Sequence, residues 1–244
     1  MAMDRAKAIL VLVAAIAFAA SPLATGSFGG FDPSQYPVPQ DDPPVQPAGY
    51  AFSIWGLIYL WLIVHAGYGL LRRAEDRRWD ATRWPLFVSL VVGATWIPIA
   101  NASPLWATAL IWVMLAGALA ALRASTNRQD RWLLQAPVAI YAGWLTAASC
   151  VSVGLVLAGW GIVGEVAAAW IGLLLALAIA GAMQVGLGRA PEYGITVVWA
   201  LIAVTVANWG AAWSVAALAA LGAALMAILA LGPIMATPRM PRSS

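Results

Sequence analysis

Fourteen tryptophans, one histidine and one cysteine are the side chains with chemistry to offer in this 244-residue sequence. An indole presents a flat stacking face and a single N–H that wants an acceptor. Trp61, Trp96, Trp112, Trp144, Trp170 and Trp199 fall inside long apolar runs. As a set they could line a pocket for a planar, apolar ligand; singly, each is as well explained by packing. Trp79, Trp84, Trp132 and Trp209 stand at the ends of such runs and read as membrane-interface anchors. His65 is alone, and a lone histidine makes a poor metal or haem ligand; a hydrogen bond to a neighbouring helix is its ordinary use. Cys150 lies in an apolar run, where a buried thiol is inert, and a single cysteine excludes an intrachain disulfide. No serine–histidine–acid set and no carboxylate pair is visible, so no catalytic residue and no metal site is assigned.

These side chains are carried on membrane spans. The hydrophobic fraction is 63% and the charged fraction 9%, against roughly 45–50% and about 25% in soluble domains. The net charge of +3 does not point to nucleic acid, because the charges sit in short clusters between apolar runs, the layout of membrane topology. The bilayer is therefore the expected partner. A span needs about 20 apolar residues, and breaks at charges, prolines and glycines give eight: 7–24, 50–71, 85–101, 105–122, 132–158, 164–187, 194–208 and 212–235. Period-two alternation is absent and alanine and leucine dominate, which selects helix over strand. The expected fold is an all-α polytopic membrane protein with eight transmembrane helices. Every lysine and arginine then falls on one side, from Arg5 and Lys7 through the Arg72–Arg83 and Arg123–Arg131 groups and Arg189 to Arg239 and Arg242. The opposite loops hold Asp32, Asp41, Asp42 and Glu165. By the positive-inside rule both termini are cytoplasmic, in a bacterial-type inner membrane. Residues 1–25 read as a retained span, with a cleaved signal peptide as the alternative.

The loop 25–49 is the longest non-helical stretch. Pro33, Pro37, Pro39, Pro43, Pro44 and Pro47 stiffen it, and Phe28, Phe31 and Tyr36 give it rings to pack down. It reads either as a lid over a cavity at the outer face or as a stiff connector. The spans offer no interior lysine for a retinal Schiff base, and the near-absence of charge within them argues against an ion pump. Pro98 and Pro137 could break helices, as transporters do. Ala216, Ala220 and Ala224 form a small-residue ridge fit for close helix approach, in a homodimer or within the bundle.

Two segments resemble the tryptophan-rich sensory protein family, also called the translocator or peripheral benzodiazepine receptor family. The first, QPAGYAFSIWGLIY, is similar to the family's approach to its second helix through Pro47, Tyr50, Phe52, Trp55 and Tyr59. The second, APVAIYAGWLTAAS, is similar to its fifth helix through Pro137, Tyr141, Trp144 and Ala148. The link NASPLW, with Asn101, resembles the family's turn before the fourth helix. Gln46 replaces the first proline of the usual pair, Tyr50 replaces a tryptophan, and Pro137 and Tyr141 are four apart rather than adjacent.

This resemblance implies a five-helix bundle over residues 1–158 with the outer loop 25–49; the three further spans and short cytoplasmic tail over 159–244 depart from that pattern. It implies a small apolar ligand, a porphyrin or haem, with no required cofactor, and a homodimer. The ligand-binding set is Pro47, Tyr50, Phe52, Trp55, Tyr59, Trp96, Asn101, Tyr141, Trp144 and Ala148. A receptor that binds such a ligand leads; a transporter of small apolar molecules and a porphyrin-modifying enzyme are the alternatives.

Overall fold

A computed structural model describes residues 2–26, 28–126 and 130–235. Eight helices follow one another: α1 Ala2–Thr25, α2 Ile54–Arg72, α3 Arg77–Ala102, α4 Pro104–Ala124, α5 Arg131–Gly159, α6 Glu165–Leu187, α7 Pro191–Ala207 and α8 Trp213–Met235. There is no strand among the described residues. Seven of the helices are long and apolar enough to cross a membrane, and α7, at 17 residues, is the shorter apolar one. The chain is thus an all-α, multi-pass membrane protein. Helix α3 starts eight residues before the expected span. Asp76 caps it, its carboxylate accepting from the Arg78 N–H at 2.8 Å, so a polar stretch of about two turns leads into the apolar helix. Pro85, Pro98 and Pro137 lie inside continuous helices and break none of them.

Helix α5 is the hub. It packs on α2, α4, α6 and α7, and two thirds of its most apolar window is buried, against less than half in every other span. Its neighbours come close where it has no side chain. A Cβ on Gly143 would stand 2.5 Å from the Tyr193 carbonyl oxygen of α7. Because Gly143 is about three turns into α5, α7 begins well along α5 from the end that carries Arg131. Arg131, the first residue of α5, reaches up to pair its Nη2 with Oε1 of buried Glu192 at the start of α7.

The described basic residues gather at one end of the bundle. Lys7 Nζ donates to Asp80 at 2.8 Å, tying α1 to α3. Buried Arg83 donates to the carbonyls of Asp4, Ala74 and Arg73 and to the Asp80 carboxylate. Arg73 donates twice to Asp130, at 2.7 and 3.1 Å, and with the Trp79 N–H it holds that carboxyl below the usual range. Trp79 is therefore not the interfacial anchor expected of it. It is 1% exposed, donates to Asp130 at 3.0 Å and stacks on His65 with ring centres 5.0 Å apart. Trp170 lies within a span, α6, as expected, and its side chain is exposed. His65 lies 2.7 Å from the Leu133 carbonyl, a hydrogen bond between α2 and α5. Of the alanine ridge, Ala216 is buried while Ala220 and Ala224 are exposed. Arg128, Arg239 and Arg242 lie outside the described residues.

At the other end, the loop between α1 and α2 is fastened at many points. A capping box formed by Asp32 and Gln35 folds a one-turn 3-10 helix, Pro33–Gln35. Gln35 Nε2 then donates to the Ala100 and Asn101 carbonyls at the end of α3. The Val38 N–H donates to Gly159 O at 2.8 Å, and the Ala48 N–H to Ala203 O of α7 at 3.1 Å. Asn208, just past α7, donates to Pro44 O at 2.8 Å, and Trp199 of α7 to Ala51 O at 3.2 Å. Two loop side chains key into the bundle. Val45 fills the notch between Gly154 of α5 and Gly172 of α6, and the Tyr36 ring lies where a Gly159 Cβ would be, 2.2 Å from Cδ1. That burial raises the Tyr36 phenol above its ordinary pKa.

Gly159→Ala should therefore push Tyr36 out and loosen the loop, costing about 1–3 kcal/mol as other overpacked sites do. The expected result is a lower thermal midpoint in detergent and faster proteolysis within residues 33–47. Gly67→Ala, where a Cβ meets nothing within 4 Å, should leave the midpoint unchanged or raise it, an added methyl gaining up to about 1 kcal/mol in a helix.

Candidate functional site

An aromatic chamber of about 280 Å³ lies beneath the loop. Each of the first five helices contributes to it: Phe18 and Pro22 from α1, Trp55 and Tyr59 from α2, Trp96 and Ile97 from α3, Ile111 and Met114 from α4, and Trp144, Leu145 and Ala148 from α5. Phe28, Gly29 and Phe52 close it from the loop. Trp55 and Tyr59, one turn apart on α2, stack at 5.3 Å with only 16° between their planes. Phe18 meets both edge-on, at 5.7 and 5.0 Å. Trp144 receives Phe52 and Trp55 edge-on at 5.8 and 6.1 Å, and Phe28 meets Trp96 at 4.8 Å. Edge-to-face pairs of this kind fix ring directions by quadrupole as well as by area. The lining holds no Asp, Glu, Lys, Arg or His.

The two tryptophans that α3 and α5 bring to the chamber wall differ in the fate of their N–H groups. Trp96 Nε1 donates to the Ala107 carbonyl at 2.9 Å. Trp144 is 2% exposed, and its Nε1 has no hydrogen-bond partner. A buried donor left unpaired costs about 1–3 kcal/mol, and in a lined cavity it marks where an acceptor is wanted. Such a chamber can hold a flat apolar molecule by ring contact and orient it by one hydrogen bond.

A second, narrower cavity of about 60 Å³ adjoins the first. It shares Phe28, Phe52, Trp96, Ile111, Trp144 and Ala148 with the chamber and continues between α5, α6, α7 and the loop. Val45, Leu155, Leu173, Ala176, Ala200 and Val204 are among its walls, so its far part is aliphatic where the chamber is aromatic.

The sequence-derived set divides accordingly. Phe52, Trp55, Tyr59, Trp96, Trp144 and Ala148 converge on the chamber, and Pro47 on the second cavity. Tyr141, Tyr50 and Asn101 line neither. Tyr141 is fully buried with its hydroxyl 2.9 Å from Ser89 Oγ, which itself donates to Met114 O at 2.7 Å. It braces α5 against α3 and α4. Tyr50 is 44% exposed and meets Trp199 edge-on at 5.4 Å. Asn101 is exposed and offers its backbone carbonyl to Gln35. His65 lines neither cavity, and among the described residues no group of three His, Cys, Asp or Glu side chains could hold a metal. Phe18, Pro22, Phe28, Gly29, Ile97, Ile111, Met114 and Leu145 join the chamber from outside that set; the rings of Phe28, in the loop, and of Phe18, the sole aromatic in α1, carried a signal in the sequence.

A family model described as TSPO-like protein matches residues 7–232. The match extends beyond residues 7–158, where the resembling motifs lie, and takes in the last three helices. No curated protein and no solved structure matches the chain.

Trp144→Phe keeps a ring in the chamber wall and deletes the unpaired N–H, so thermal stability of the ligand-free protein should hold or rise. Trp79→Phe removes a satisfied donor from Asp130 and should destabilise by about 1.5–3 kcal/mol, the range for hydrogen bonds to charged groups. Thermal unfolding of the two variants in detergent checks the contrast.

Proposed function

The chain belongs to the TSPO-like family, and from that premise we propose that it is a receptor-like membrane protein that holds a planar apolar ligand, a porphyrin or related tetrapyrrole, in the aromatic chamber. The observation that carries the reading is the unpaired Nε1 of buried Trp144 in an enclosure of seven aromatic residues free of charge. A flat π-system with an acceptor on its edge would satisfy the ring faces and that donor together. The chamber volume of about 280 Å³ lies at the lower edge of the roughly 300–1,000 Å³ typical of ligand sites. A tetrapyrrole would therefore displace Phe28 and Phe52, the two rings that close the chamber from the loop. The loop then acts as a lid that is fastened to the bundle and yields locally. A transporter that works through broken mid-membrane helices finds no support in α3 and α5, which run unbroken through Pro98 and Pro137.

Protoporphyrin IX titrated into the detergent-purified protein should quench tryptophan fluorescence saturably. In Trp144→Phe the affinity should fall about three- to tenfold, the worth of one hydrogen bond. A folded protein that shows no saturable quenching would overturn the reading.

We further propose that the basic end of the bundle faces the cytoplasm, with both termini inside. Alkaline phosphatase fused after Trp160 should be active in a bacterial host and inactive when fused after Ser125. The reverse pattern would invert the topology.

A further inference from the structure

We propose that the ligand of this protein carries a flexible hydrocarbon tail on its flat ring, and that the cavity between α5, α6 and α7 is the tail site. The inference rests on the ring-binding reading of the chamber and adds to it. Three observations support it. The two cavities share six wall residues, so Phe52, Trp144 and Ala148 border both and the two spaces lie side by side. Their linings are of different kinds. The chamber is walled by rings that meet one another edge-on, whereas the far part of the narrow cavity is walled by Leu155, Leu173, Ala176, Val197, Ala200 and Leu201. At about 60 Å³ it has no room for a second ring system, and a branched or straight alkyl chain is the apolar group narrow enough to enter.

Small residues keep this space open. Ala176 and Ala200 are almost completely buried, on α6 and α7, and larger side chains there would fill it. Gln46 and Ser152 are the polar side chains among its walls, beside Trp144 and Cys150. None carries a charge, so a charged or strongly hydrated substituent would find no partner there. A hydrocarbon tail desolvates no polar group on entry and gains dispersion contact with walls that otherwise face a void.

The test uses two esters of one metal-free chlorin, methyl pheophorbide a and its phytyl counterpart pheophytin a. They share the ring and differ in the alcohol. Binding to the full-length protein in lipid nanodiscs is read by tryptophan quenching. The phytyl ester should bind about tenfold more tightly than the methyl ester, the scale of filling a void of about 60 Å³. Ala200→Phe and Ala176→Leu plug the narrow cavity from different helices without touching the chamber wall. Each should bring the phytyl ester to the affinity of the methyl ester, while methyl ester binding changes less than about twofold against that tenfold gain. Loss of both esters alike in the two plugged variants would overturn the inference, as would a phytyl advantage that survives plugging. Methyl ester binding with no phytyl advantage in the unaltered protein would overturn it and leave the ring site standing. Failure of both esters on the unaltered protein would overturn the ring-binding reading and this inference together.

Discussion

Lipid offers helices no hydrophobic reason to associate, because hydrocarbon tails are as apolar as leucine. What holds this bundle is therefore close approach, and close approach depends on missing side chains along α5. Gly143 admits the backbone of α7, Gly154 admits Val45, and Gly159 admits Tyr36. The same device recurs away from the hub: a Gly117 Cβ would stand 2.6 Å from the Pro85 carbonyl where α4 crosses α3. Dispersion contacts are individually small and fall off steeply with separation. A few tenths of an ångström gained along a whole crossing thus decide whether the helices stay together. The polar bonds that bridge the helices, such as His65 to Leu133 and Tyr141 to Ser89, add direction to contacts made possible by packing.

The aromatic chamber follows from this arrangement. Tight crossings on the α6–α7 side and on the α3–α4 side leave the first five helices splayed around a shared space beneath the loop. Rings fill its border and hold each other at fixed angles, and the polar groups on that border are few. Its roof is not a free flap. Backbone hydrogen bonds fix the loop to α5 and α7 on either side of the proline run, and proline lowers the entropy that such fixing costs. The loop is thus held to the bundle at several points along its length. Because Trp199 of α7 and Asn208 hold the loop, α7 helps to shape a chamber walled by the loop and the first five helices.

Much of this is legible in the sequence, and the exceptions have physical reasons. Runs of about 20 apolar residues between charge clusters mark the eight helices and their alternation. The clustering of Phe52, Trp55, Tyr59, Trp96 and Trp144 is legible too, through aromatic residues at helical spacing and the family likeness. The inward face of each helix is not. A span that is apolar all round has no polar side to say which way it turns, so Tyr141, one turn short of Trp144, looks like a pocket residue when it braces the pocket from behind. Trp79 misleads because an indole at the end of an apolar run looks interfacial until Asp130, 51 residues on, is seen to accept its N–H. The fastening of the loop leaves no trace in composition, since a bond such as Ala48 N–H to Ala203 O joins backbone atoms common to nearly all residues. Asp76 does signal the early start of α3, as an aspartate before a charged turn is an N-cap signal.

Helix α7 starts part-way up α5 and has 17 residues against 29, about 26 Å of helix beside about 44 Å. The hydrocarbon around α7 must match the shorter element, and lipid accommodates a short element by thinning. On that flank the lipid surface at the end that carries Arg131 would be drawn in toward the level of Glu192, a dent on one side of the bundle. Such a dent would favour thinner patches of membrane, so the start point of one helix would bias where the protein settles.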